Sequence, residues 1–354
     1  MKTADILKIR LYNQLLAGNQ LTRPAEIVSW LGAMQSQNYE MAKWGIGARL
    51  PGVTNKQVEE AVSTGEIIRT HILRPTWHFV AAEDIHWMHE LSAPRLKPTF
   101  VSYDKMRGME EDFIQKGLKA LPGILDKYGH LTREEIAEHL TTSHGLRFVE
   151  NHNVKNILSR AELEGIVCNG EIRENKQTYA LLHQRVPKTY SLSKEEALER
   201  LARKYFSSHG PATLDDFLWW SGLTKTDVRK GIEAIKHDFV CEEINGKTYW
   251  MPNNIQTPAG KKSTVLLPAF DEYVVSYKYR EEIIDEAYYR KVLTINGIFS
   301  PTVHYNGKIV GTWKRVVKKK GAEAELSFFE TTPEKVHSAF DKAVKAYNKF
   351  NIFP

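Results

Sequence analysis

Along this chain apolar residues recur at helical spacing, stop at a short threonine-containing phrase, resume at helical spacing, and then alternate as in a β-hairpin. The cycle runs three times. The phrases are Leu21-Thr22-Arg23-Pro24-Ala25-Glu26-Ile27, Leu131-Thr132-Arg133-Glu134-Glu135-Ile136 and Ala212-Thr213-Leu214-Asp215-Asp216-Phe217. Each places Thr to cap a helix that carries an acidic residue in its first turn. Helix, helix, hairpin is the outline of a winged helix, a variant of the helix-turn-helix. The pattern therefore predicts an α+β protein with three tandem winged-helix units.

In the first unit, helices are expected over residues 4–17, ended by Gly18-Asn19, and from the Thr22 cap through Trp30 and Leu31 toward Met34. A third covers 55–64 and is stopped by Gly65. Residues 67–80 are β-rich, with Pro75 in a turn or on an edge because it cannot donate to a ladder. A helix over 82–91 follows, with Pro94 and Pro98 punctuating its exit. The second unit has a long helix through Leu121, a capped helix over 132–140, a helix over 153–163 and a hairpin from Gly165 to Leu182. The third ends in the hairpin Phe239 to Trp250, whose Asn245-Gly246 between alternating strands is a strong turn signal. Beyond Pro258 strands dominate: Val265 to Pro268, Thr302 to Tyr305, Lys308 to Trp313 and Glu325 to Phe329. Asn306-Gly307 and Lys320-Gly321 supply turns, and a helix over 333–350 closes a small antiparallel β-barrel or sheet. The boundaries expected are 1–103, 104–190 and 191–258 for the winged helices and 259–354 for the barrel. No low-complexity linker separates them, so they are expected to pack as one body.

Composition adds a partner class. The 354 residues carry a formal charge of +6, compatible with a polyanion but not diagnostic of one. Between Lys261 and Lys320 there are twelve Lys or Arg against six Asp or Glu, and that surplus of six equals the whole net charge. Two cysteines, Cys168 and Cys241, make neither a disulfide framework nor a zinc spacing. The N-terminus has no apolar signal segment and no stretch reaches membrane-span length. A cytoplasmic protein without a membrane partner is the expectation.

Candidate chemistry is sparse. Walker A, Gly-x-Gly-x-x-Gly, Gly-x-Ser-x-Gly and cysteine-nucleophile motifs are missing, so no small-molecule cofactor is expected. Gln35-Ser36-Gln37 follows the second helix; on an extended or turning backbone both amides fall on one side and can hold a water. The plainer reading, favoured by spacing alone, has one glutamine capping the helix and the other solvated. Arg69, Arg74, Trp77 and His78 can form a strand that contacts phosphate and base, or a buried Trp with solvated arginines. Lys314, Arg315, Lys318 and Lys319, with Lys320, suit a phosphate clamp or a solvated hairpin tip equally. His86 and His89 lie one helical turn apart but lack further ligands, so no metal is expected. Trp219-Trp220 read as core. Asp271-Glu272, just past a strand end, is a weak candidate acid or base.

Several of these segments together resemble the tandem winged-helix DNA glycosylases of the AlkZ and YcaQ type. They are Leu31-Gly32-Ala33-Met34-Gln35-Ser36-Gln37, Leu73-Arg74-Pro75-Thr76-Trp77-His78, Gly210 to Phe217, Leu267-Pro268-Ala269-Phe270-Asp271-Glu272-Tyr273 and Gly311-Thr312-Trp313-Lys314-Arg315. They occur in order over nearly the whole chain. The resemblance implies a C-shaped molecule around duplex DNA. It implies excision of N-alkylated purines, and in some members the unhooking of interstrand crosslinks. The family's Gln-x-Gln or Gln-x-Asp motif maps onto Gln35 and Gln37; Ser36 stands where an aliphatic or small residue is usual. The expected protein is a monofunctional glycosylase, a monomer, nucleoid-associated in the cytoplasm. The competing readings are a non-catalytic winged-helix DNA-binding protein or regulator, and a module for protein contacts alone.

Overall fold

The computed structural model describes residues 2–18, 20–146, 152–254, 263–319, 321–331 and 334–352. Asn19, Pro258, Lys320 and Pro333, expected as a helix stop, a boundary, a turn residue and a helix start, lie outside the described residues. The chain divides into two compact units, Glu60–Ala197 and the pair of segments Met1–Glu59 and Leu198–Pro354.

The Glu60–Ala197 unit holds the helices Ile85–Met106, Glu111–Tyr128, Arg133–His144 and His152–Leu163. Thr132 accepts from the Glu135 backbone N–H, and the Glu135 carboxylate accepts from the Thr132 N–H, a closed capping box. Strands Val167–Arg173 and Lys176–Leu181 form the expected hairpin, and Leu131–Thr132 pairs with its second strand. Ile114, Leu118, Leu121 and Leu125 recur at helical spacing and bury against Ile136, Leu140, Val154, Ile157 and Leu158. A second hairpin pairs Ile67–His71 with Trp77–Ala81, and Pro75 sits in its turn.

Prolines correct one expectation. Pro94 and Pro98 do not end a helix; both lie inside Ile85–Met106, as Pro122 does inside Glu111–Tyr128. All three are exposed, and each removes one backbone N–H donor from its helix. The opposite face buries Trp87, Met88, Leu96 and Phe100, which keeps the helix continuous.

The other unit contains helices Thr3–Asn13, Pro24–Leu31, Tyr39–Gly47, Leu214–Ser221 and Lys225–Ile235, and most of Lys194–His209. Thr213 closes a capping box with Asp216. Thr22 does not cap its helix: Pro24 takes the first helical position, and the Glu26 carboxylate instead accepts from the Thr22 and Arg23 N–H groups. Strands Phe239–Ile244 and Lys247–Pro252 meet at Asn245-Gly246, both at positive φ (51° and 72°) as a tight hairpin turn requires. A curled antiparallel sheet orders Gly321–Phe328, Lys308–Lys318, Thr302–Tyr305 and Thr264–Leu267. The helix Glu334–Phe350 packs on this sheet and on Tyr39–Gly47. Among the described residues, no helix is long and apolar enough to cross a membrane.

Candidate functional site

Gly32, at φ 80°, ends the helix Pro24–Leu31 three residues before the expected limit at Met34. Only glycine takes that conformation without strain. The chain then extends through the short strand Met34–Gln35, and Asn38 caps the next helix by accepting from the Met41 N–H at 3.2 Å. Gln35-Ser36-Gln37 is therefore a linker between two helices, not a frayed helix end. Gly32 and Asn38 make the turns, so neither glutamine is needed as a cap. Gln35 is 8% exposed, Ser36 is buried and Gln37 is exposed. Neither glutamine amide has a hydrogen-bond partner among the described residues.

Behind this linker lies a dense buried network. Glu272 Oε1 accepts the Gln35 backbone N–H at 2.8 Å. Its Oε2 accepts from Trp220 Nε1 at 2.9 Å and Ser276 Oγ at 2.6 Å. Neighbouring Asp271 receives both ends of the Arg49 guanidinium, at 2.8 and 2.9 Å. Arg49 also donates to the Gly45 carbonyl and twice to Gln14. Indole N–H groups of Trp44, Trp313 and Trp219 donate to the carbonyls of Leu266, Leu267 and Val275, so the segment on both sides of Glu272 is pinned. Burial lowers the His209 pKa, partly opposed by Glu272. Asp271-Glu272 thus anchors the structure of this region. The available sequence signal was Arg49 in an apolar stretch, since a buried arginine demands an acidic partner. Trp220 is core as expected, whereas Trp219 is partly exposed.

Arg69 and Trp77 line a cleft of about 370 Å³ in the Glu60–Ala197 unit, with Arg133, Glu134, Lys155, Lys176, Gln177 and Tyr179. Four cations face one carboxylate there. Arg69 Nη1 donates to Gln177 Oε1 at 2.7 Å, and the Arg69 and Lys155 charges sit 4.8 and 5.3 Å from the Trp77 ring centre. Arg133, Lys155 and Lys176 form no motif in the sequence because three separate segments supply them. His78 is fully buried; its Nδ1 lies 3.0 Å from the Thr76 carbonyl and its Nε2 3.3 Å from Arg74. It cannot present its ring to a ligand and instead braces the turn that carries Arg74. His86 and His89 both face backbone carbonyls, those of Val186 and of Glu162 and Leu163.

Lys314 and Arg315 lie on the strand Lys308–Lys318, where neighbours point to opposite faces. Lys314, Lys318 and Lys319 are exposed, while Arg315 is half-buried, 3.7 Å from Glu40. Lys318 approaches Glu323 at 3.6 Å. The basic run is thus divided between two faces and partly offset by acids. Trp313 is buried and belongs to the core of the sheet.

The family model described as AlkZ-like, DNA glycosylase AlkZ-like, matches residues 28–350 of this chain. No curated protein matches it. Among solved structures, the chain is similar to the Streptomyces sahachiroi DNA glycosylase AlkZ, with a TM-score of 0.77 at 20% identity, over 100% of this chain and 98% of that one. At that identity the likeness shows a shared fold.

Proposed function

The chain belongs to the AlkZ-like DNA glycosylase family, and from that premise we propose that it hydrolyses the N-glycosidic bond of N-alkylated purines in duplex DNA, including crosslinked purines, with Gln35 and Gln37 positioning the water. The observation that carries this reading is the pair of amides two positions apart on the linker between two helices, uncommitted among the described residues and set on a buried hydrogen-bonded network. An amide offers both a donor and an acceptor, so two of them can orient one water. N7-alkylation makes the purine cationic. Breaking the C1′–N9 bond returns its electron pair to the base and neutralises it. Water then adds to the electron-poor C1′ and gives its proton to solvent. The leaving group needs no strong acid, and positioning supplies the catalysis. The product is an abasic site and a free base.

The frame in this reading is three winged helices, 1–103, 104–190 and 191–258, followed by the sheet domain 259–354. Arg69, Arg74 and Trp77, together with Lys314, Arg315, Lys318 and Lys319, contact the duplex, and His78 supports Arg74. The protein works in the cytoplasm at the nucleoid, as a monomer without cofactor.

The test is incubation with a duplex bearing one N7-methylguanine, scoring free base and alkali-labile abasic sites against the undamaged duplex. Release from the damaged strand alone is expected. Tight, sequence-specific binding with no release would leave a non-catalytic DNA-binding protein.

A further inference from the structure

Glu272 lies 237 positions from Gln35 and is 1% exposed. Its Oε1 holds the Gln35 backbone N–H at 2.8 Å, while Oε2 holds Trp220 Nε1 and Ser276 Oγ. We propose that Glu272 is the positioning residue of the glutamine pair, setting the backbone at Gln35 and so the direction in which its amide meets the reacting water. This rests on the water-positioning role of Gln35 and Gln37. The linker is only a few residues long between two helices, so a displacement of its N–H carries the amide with it. The donors come from separate elements: the linker, the helix Leu214–Ser221, and Ser276 at the end of the turn Glu272–Val275. The backbone that bears Glu272 is itself fixed, because Asp271 takes both Arg49 nitrogens and Arg49 is tied to Gly45 and Gln14. His209 Nε2 stands 3.7 Å from Oε2, farther than the Trp220 and Ser276 donors on the same oxygen.

Glu272→Gln tests the geometry. The new amide has one accepting and one donating end. Its oxygen is drawn toward the two donors, Trp220 and Ser276, which turns its NH2 onto the Gln35 N–H. The single-turnover rate of N7-methylguanine release should fall about ten- to hundredfold, with duplex affinity within about twofold. Adding Trp220→Phe removes one donor, and the Ser276 hydroxyl can turn round to accept. The amide oxygen then returns to Gln35, and the rate should recover at least about threefold, even though the double variant unfolds more easily. A role in stability alone makes the double variant worse than the single in both rate and unfolding midpoint, and that ordering overturns the proposal. Should Glu272→Gln not fold, Glu272→Asp keeps the charge but shortens the reach by about 1.5 Å. It should lose rate to a similar degree, and an unchanged rate overturns the proposal. Gln35→Ala with Gln37→Ala is run beside them. If that pair still releases base at the wild-type rate, the water-positioning reading falls. If it fails while Glu272→Gln releases base normally, only the role of Glu272 falls.

Discussion

At Gln35 and Gln37 neither amide is bonded among the described residues, whereas in the cleft of the Glu60–Ala197 unit Arg69 is already bonded to Gln177 and stacked on Trp77. The first region commits its hydrogen bonds to the support: Glu272, Arg49, Asp271 and the indoles are all engaged, and the groups in front are left idle. The second commits them to the cleft cations themselves. That difference suits the two proposed tasks. A water must be held to a fraction of an ångström for reaction, which calls for a rigid backing. A phosphate backbone tolerates approximate placement, so cations that share neighbours can still serve it.

The largest effect is expected at the support: Arg49→Met leaves Asp271 buried and uncompensated, and should cost about 3–5 kcal/mol in a denaturant titration. A loss under about 1 kcal/mol would mean that the backing is not the rigid element. Next is pH. His304, fully buried near Arg49, is pushed down to about 3, and His209 is lowered as well. Below the unfolded value near 6.5 the unfolded chain takes up protons that these folded rings refuse, so stability falls as pH drops. His304 alone should remove about 2 kcal/mol between pH 7 and pH 5. His304→Asn should flatten that slope, and an unaltered slope would remove His304 from the account. Smaller still is the cleft. Replacing Lys155 and Lys176 by Ala should weaken duplex binding about tenfold near 0.1 M salt and make the log–log salt dependence shallower by about 0.9 for each phosphate no longer neutralised. An unchanged slope would show that the cleft takes no phosphate. The smallest effect is Thr132→Ala, expected to cost about 1 kcal/mol through removal of the cap and to leave the Gln35 region untouched.

What the sequence revealed follows the range of the forces involved. The capping boxes at Thr132 and Thr213 and the Asn245-Gly246 hairpin are local, and they appear where the residues place them. The helix Tyr39–Gly47 is not legible in the sequence because Gly45 and Gly47 count against a helix. Packing explains them: a Cβ on Gly45 would come within 3.1 Å of Met34, and one on Gly47 within 2.7 Å of Phe350. The exposed prolines mislead in the opposite sense, since the buried apolar face of each helix holds it together through them. Gln35 and Gln37 stand out as a motif, but Glu272 behind them does not, because nothing local ties residue 272 to residue 35. The cleft cations are hidden for the same reason, and the place of His78 is not evident because burial cannot be read from its neighbours alone.

The most direct measurement is the single-turnover rate of N7-methylguanine release with enzyme in excess, for the wild type and for the Gln35→Ala, Gln37→Ala double variant, alongside their affinities for the same duplex. The double variant should lose about a hundredfold or more in rate with affinity preserved. Equal rates, or a rate that falls only as far as binding does, would contradict the water-positioning reading.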